Sequence, residues 1–208
     1  MGYSRKEREP KWFPTDVITI TSETGVGSTA LFTELKEKFH EDPRKQFVSA
    51  GEIFRRFGKE KGIEDVNVFS KYVTDHPEEK YDERLDAEML FRGKRNHTFL
   101  EGRVVHLIPG AFRVLLTCSV WVRAERRHKE YPDLTIQEVA ELIMARDRTN
   151  KERYDRLYPG WEWEESDYDL VVPTDAGHSL PGEVRLIYNA HEEWLTKMTL
   201  AGKIIHCT

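Results

Sequence analysis

A chain of 208 residues with 38% apolar and 33% charged side chains is long enough to bury a hydrophobic core, and a mean hydropathy of -0.65 excludes a membrane-embedded protein. A net charge of -5 argues against general nucleic-acid binding, although an acidic protein can still hold a local cationic pocket for phosphate. Its two cysteines, Cys118 and Cys207, have neither zinc nor disulfide spacing, which suits a reducing cytosol, and no apolar run reaches the roughly 18 residues of a membrane span.

Residues 1–16 read as a loose polar tail, "MGYSRKEREPKWFPTD", charged where a signal peptide would be apolar, with Trp12 and Phe13 able to dock on the body. Val17 to Thr21 is an apolar and β-branched run that predicts a strand, and Leu31, Leu35 and Phe39 recur every four residues as in a helix. Between them lies a glycine turn in the context of a phosphate-binding loop, whose usual form is G-x-x-x-x-G-K-[ST]: amides cradle phosphate, a lysine neutralises it and a hydroxyl holds magnesium. Here Ser22 stands for the first glycine and Ser28 for the lysine. Gly25 and Gly27 permit close backbone approach, Thr29 occupies the magnesium hydroxyl position, and the helix N-terminus offers positive potential. An ordinary strand-to-helix turn with two glycines is the alternative.

Phe47 to Val48 reads as a second strand, after which Ser49 caps a helix, Gly51 allows a ligand close, and Arg55 and Arg56 lie a turn along. The same pattern suits a capped surface helix with solvated arginines. Thr98 to Leu100 predicts a third strand ending in Glu101, Gly102 and Arg103, an acid able to organise magnesium through water and an arginine able to reach a cleft, or else a charged turn. Val114 to Val122 reads as a fourth strand, with Arg123, Arg126 and Arg127 just beyond it. A helix is predicted over Thr135 to Leu157, opened by a Thr135/Glu138 capping box; Val139, Ile143 and Asp147 repeat every four residues until the pattern turns polar. Arg146 and Arg153 share one face two turns apart, where arginines can close over the charge of phosphoryl transfer or form a solvated face, with Arg148 and Glu152 as an i,i+4 pair. Trp161, Trp163 and Tyr168 read as packing, Leu170 to Val172 as a fifth strand, and His40, His106 and His178 as surface or core residues without metal spacing. Strands alternating with helices predict a parallel sheet covered on both faces, with ligands beyond the carboxyl ends of its strands.

In their order, "ITITSETGVGSTAL", "FVSAGEIFRRFGKEKGI", "YDERLDAEM", "FLEGRVVHLIPGAFRVLLTCSVWVRAERR", "ARDRTNKERYDRLY" and "YDLVVPT" resemble the archaeal-type cytidylate (CMP/dCMP) kinases, within the P-loop nucleoside monophosphate kinases, from about Val17 to Leu195. That family's loop, G-x-x-G-x-G-T-T-T, has a hydroxyl residue in the lysine slot, so Ser28 is a mild change, whereas Ser22 and Ala30 depart from it. The resemblance implies a three-layer α/β/α P-loop kinase fold with a parallel sheet of about five strands. It implies one kinase domain over 17–208, with nucleoside-monophosphate-binding helices at about 49–95 and a lid at about 123–158. The implied reaction transfers the γ-phosphoryl group of ATP, with Mg2+, to CMP or dCMP.

Carried over residue by residue, Ser22, Glu23, Thr24, Gly25, Val26, Gly27, Ser28, Thr29 and Ala30 look like the ATP phosphate loop, with Thr29 nearest the metal and Glu101 acting on it through water. Ser49, Gly51, Arg55, Asp82, Arg84, Gly102 and Arg103 look like the monophosphate site, and Arg103, Arg146 and Arg153 like the catalytic cations, the last two on the lid. A cytoplasmic monomer is expected, with ATP and CMP or dCMP as its partners and neither nucleic acid nor membrane. A nucleotide-binding regulatory protein that transfers nothing and a kinase of another small acceptor are the alternatives.

Overall fold

Five parallel strands in the order β2-β3-β1-β4-β5 form the centre of the computed structural model, which describes residues 16–158 and 164–200. They are β1 (Val17–Ser22), β2 (Gln46–Ser49), β3 (Thr98–Glu101), β4 (Phe112–Thr117) and β5 (Leu170–Pro173). Among the described residues the helices are α1 (Ser28–Lys38), α2 (Ala50–Glu60), α3 (Val66–Asp75), α4 (Tyr81–Arg92), α5 (Val120–His128), α6 (Ile136–Leu157) and α7 (Leu180–Leu200). The chain leaves β1 for the edge at β2, returns through β3 and then crosses to β4 on the other side. Strand order therefore reverses at β1, and a crevice opens above its carboxyl end.

The two faces of the sheet bury different cores. Val17, Val48 and Leu100 pack on one side beneath α2, α3 and α4, which contribute Ile53, Phe57, Phe69, Val73, Leu85 and Met89. Ile18, Ile20, Phe99, Phe112, Val114, Leu116 and Val172 pack on the other, against Leu31, Phe32 and Leu35 of α1 and Val184 and Ile187 of α7. Every residue of β1 is buried, as expected for the central strand of a parallel sheet. A third small core, Ala124, Val139, Ala140 and Ile143, joins α5 to α6. It is the inward stripe of the four-residue repeat seen in the sequence.

The predicted elements fall where expected with one correction. The run from Val114 to Val122 does not continue as one strand. β4 stops at Thr117, the backbone turns through Cys118 and Ser119, and Val120 already belongs to α5. The Ser119 hydroxyl accepts the Val122 N–H at 3.4 Å, and its backbone N–H donates to Asp175 at 2.8 Å. Apolar periodicity cannot separate a buried strand from the start of a buried helix; the serine cap does. Thr135 caps α6 with the predicted capping box. His106 and Tyr168 pack together in the interior, with ring centroids 5.4 Å apart, while His40 and His178 are exposed. Trp12, Phe13, Trp161, Trp163 and Cys207 lie outside the described residues, among which no helix is long and apolar enough to cross a membrane.

Candidate functional site

The sheet register assembles the floor of the crevice. Ser49 of β2 lies opposite Glu101 of β3, and Glu101 lies beside Ile20 of β1. Glu101 accepts the Ser49 hydroxyl at 2.7 Å with one carboxylate oxygen and the Ser28 hydroxyl at 3.0 Å with the other. Ser49 also caps α2 by accepting the Glu52 N–H. One carboxylate thus joins the lysine slot of the loop to the start of α2. Gly102 makes this approach possible: its N–H donates to the Ile20 carbonyl at 3.1 Å, and a Cβ on it would stand 2.8 Å from that of Ala50.

The loop from Ser22 to Ala30 takes the shape of a phosphate cradle. Gly25 and Gly27 have φ of 79° and 110°, the left-handed region that favours glycine. Gly27 caps α1 without any side-chain hydrogen bond, so the first amides of that helix face the crevice. Ser22 is buried at the end of β1, whereas Thr29 and Ala30 are exposed in the first turn of α1. It is Ser28, not Thr29, whose hydroxyl meets Glu101.

Thr24 is tied at all three of its polar groups. Its N–H donates to Asp147 Oδ1 of α6 at 3.1 Å, its carbonyl accepts Arg123 Nη1 of α5 at 3.0 Å, and its hydroxyl accepts Arg103 Nη2 at 2.9 Å. Arg123, its side chain only 7% exposed, also pairs with Asp147 at 2.7 Å and with Glu23 at 3.1 Å. Arg126 donates to the Val26 carbonyl at 2.9 Å and to both the hydroxyl and the carbonyl of Thr174, the residue after β5. Burial, with Arg146 and Arg153 adding to it, holds the Arg103 guanidinium below its ordinary pKa, and burial raises that of the Glu23 carboxyl. Arg103 and Arg123 thus bring two guanidinium groups to Thr24, one at its hydroxyl and one at its carbonyl.

On the α2–α4 side, Arg55 folds back over Gly51, its Nη1 3.5 Å from where a Cβ would be. Arg56 turns away to Glu88 of α4, and Arg84 lies over the rings of Phe57 and Tyr81 at 4.8 and 5.0 Å. Asp82 is buried and pairs with Arg153 at 3.3 Å, and one turn later Asp86 accepts the Tyr158 hydroxyl. α4 and α6 thereby meet through an acidic pair on one helix and an arginine and tyrosine on the other. Burial raises the Asp82 carboxyl pKa and pushes Asp86 up to about 6, against the opposing effect of the Tyr158 hydrogen bond. Arg146 is exposed on α6.

Asp147, Thr174, Asp86 and Tyr158 enter the site without having been singled out in the sequence. For Asp147 the signal was its four-residue spacing from Val139 and Ile143, which sets it on the inward face of α6. For Thr174 it was the position just past a strand's carboxyl end. Asp86 follows Asp82 by one helical turn. Tyr158 carried no such mark.

Among the described residues no group of three or more His, Cys, Asp or Glu forms a protein-only metal cage. Ser28, Thr29 and Glu101 supply oxygen donors alone. That donor set fits magnesium, which keeps waters and takes its other ligands from substrate phosphates.

No family model matches the chain. Over 160 residues it is 32% identical to a cytidylate kinase of Pyrococcus horikoshii, covering 76% of this chain and 79% of that one. A cytidylate kinase of Thermococcus kodakarensis is 30% identical over 189 residues, 90% and 93% of the two chains. One from Methanocaldococcus jannaschii is 32% identical over 166 residues, 76% and 88%. Among solved structures, a gluconokinase from Sinorhizobium meliloti has a TM-score of 0.52 at 13% identity, covering 91% of this chain and 98% of its own. A shikimate kinase from Bacteroides thetaiotaomicron has a TM-score of 0.50 at 12% identity, covering 88% and 98%. Identities this low speak for the fold alone: a P-loop kinase sheet with its helices.

Proposed function

The chain belongs to the cytidylate kinase family of P-loop kinases, and from that premise we propose that it transfers the γ-phosphoryl group of ATP to CMP or dCMP, giving CDP or dCDP. The observation that carries this reading is the convergence at one sheet edge of the glycine loop, the Glu101 bridge from Ser28 to Ser49, and Arg103 beside Thr24.

In this reading the amides of the loop from Ser22 to Ala30 and the N-terminus of α1 hold the ATP phosphates. Ser28, Thr29 and Glu101 hold magnesium, directly or through its waters, and the ion supplies charge neutralisation where the phosphates meet. Ser49, Gly51, Arg55, Asp82, Arg84 and Gly102 line the acceptor site, with α2 to α4 as its binding helices. Arg103 lies between donor and acceptor and binds the phosphate of the latter. α5 and α6 form the lid, and its Arg146 and Arg153 approach the transferring group.

Phosphoryl transfer asks little covalent chemistry of a protein; alignment of the two phosphates and stabilisation of spread negative charge carry most of the rate. The bond from Asp147 to the Thr24 amide registers α6 against the loop. A closed lid then excludes water and limits hydrolysis of ATP. The single domain over 17–208, the cytoplasmic location and the monomeric state belong to the same proposal.

A coupled assay of ADP release with CMP, dCMP, UMP, AMP and no acceptor tests it. Turnover confined to the cytidine monophosphates is expected. Chelation by EDTA should abolish it without moving the thermal midpoint, since the metal arrives with the nucleotide. Turnover only on another acceptor would reassign the substrate, and calorimetric nucleotide binding without any turnover would make the chain a binding protein.

A further inference from the structure

We propose that Arg127 supplies the positive charge that the lysine slot of the loop lacks, its guanidinium swinging from Glu130 onto the terminal phosphates of the donor nucleotide. The proposal rests on the kinase reading above and adds a donor-phosphate ligand to it.

Helix α5 lays three arginines along the loop, and two of them are committed to its framework. Arg123 holds the Thr24 carbonyl, Asp147 and Glu23, and Arg126 holds the Val26 carbonyl and Thr174. Without Arg123 the Thr24 carbonyl would lose its guanidinium partner, and without Arg126 the Val26 carbonyl would keep only the Thr174 hydroxyl, at 3.0 Å. Arg127 is placed differently. Its Cδ lies 3.1 Å from where a Cβ on Gly25 would be, so its methylenes run directly over the bare backbone of the loop. Its guanidinium makes no bond to the loop: it pairs with Glu130 at 2.7 Å and approaches the Tyr131 hydroxyl at 3.4 Å, both within one turn downstream. The Arg127 side chain is 19% and that of Glu130 48% exposed, so the carboxylate end of this local pair is open to solvent, where a more highly charged anion can compete for the guanidinium.

The loop itself holds no cation. The Ser28 side chain is short, neutral and engaged with Glu101, so it does not reach a phosphate as a lysine would. Arg103 reaches the loop at the Thr24 hydroxyl. A guanidinium pivoting about Cδ over Gly25 would bring a further cation to the loop. Gly25, without a side chain, leaves the path clear, and the bidentate fork suits phosphate oxygens.

The test uses the full chain with Arg127→Met, which keeps the apolar stem on Gly25 and removes the charge, and with Arg127→Lys. We expect Arg127→Met to lower kcat by about a hundredfold and to weaken binding of ATP, measured by calorimetry, far more than that of AMP. Arg127→Lys should keep most of both. Turnover and ATP affinity at the parent level in Arg127→Met would overturn the proposal. So would an equal loss for ATP and AMP, which marks a structural role. If the parent protein turns over no acceptor, the kinase reading fails by itself. The ATP-to-AMP affinity ratio still decides this proposal: a ratio unchanged by Arg127→Met overturns it, and a collapsed ratio upholds it.

Discussion

Gly102, just past β3, lies against the first residue of α2, so one methyl group there tests the geometry that joins Glu101 to Ser49. In Gly102→Ala the new Cβ would stand 2.8 Å from the Ala50 Cβ and 3.2 Å from a methyl of Val105. Carbon atoms in contact prefer about 3.5–4.0 Å, so α2 or β3 must give way by roughly 0.7–1.2 Å. Neither neighbour is the end of a flexible chain: the Ala50 Cβ is fixed to the first residue of α2. Overpacking of this kind costs about 1–3 kcal/mol, and each kcal/mol lowers Tm by about 2–4 °C in a chain of this size. A fall of roughly 2–12 °C follows. The same displacement draws Ser49 from Glu101, so KM for the acceptor should rise with it. Ala50→Gly takes away the opposing carbon, and the double variant should regain most of the loss, less up to about 1 kcal/mol for a glycine in a helix. Calorimetric melting of the parent and three variants is the assay. An unchanged Tm in Gly102→Ala, or a double variant weaker than Gly102→Ala alone, would refute the argument.

Two further outcomes follow from the contact between α4 and α6. Asp86, raised from 3.8 to about 6, keeps a proton in the folded chain that the unfolded chain has released across that window. Its stabilising contribution is thus fully present below 3.8 and is lost as pH rises through about 6. As pH rises from about 4 to about 6, the urea midpoint of the parent should fall relative to that of Asp86→Asn, which cannot ionise, and parallel profiles would contradict it. Arg153→Ala removes a proposed lid cation and should lower kcat by about 10²–10³. Its melting midpoint should fall while the chain stays folded, because the buried Asp82 carboxyl loses its partner. Normal turnover in that variant would remove Arg153 from the site.

Much of the fold was legible because its signals are local. β-branched runs mark the strands, the Thr135/Glu138 box marks the start of α6, and strand-helix alternation requires parallel pairing; each depends on residues within a few positions of one another. The run from Val114 to Val122 misled for the same reason. Apolar character persists across the change from β4 to α5, and only the Ser119 cap separates them. The loop was recognisable from its two glycines, but its missing lysine could not be interpreted from within it. The relevant cations lie about 80 to 100 residues away, at Arg103, Arg123, Arg126 and Arg127.

By itself, then, the sequence determined a parallel α/β kinase frame, the glycine cradle at its first strand and the acids and arginines that follow the second, third and fourth. Tertiary structure alone decided which of those groups meet. The register of β2 against β3 sets Ser49 beside Glu101, α5 over the loop sets Arg123 and Arg126 on its carbonyls, and α6 brings Asp147 to Thr24 and Arg153 to Asp82. The physical reason is that hydrogen bonds and ion pairs depend on distances of a few ångströms between groups far apart in the chain. Packing of the helices on the sheet fixes those distances, and no local periodicity encodes them.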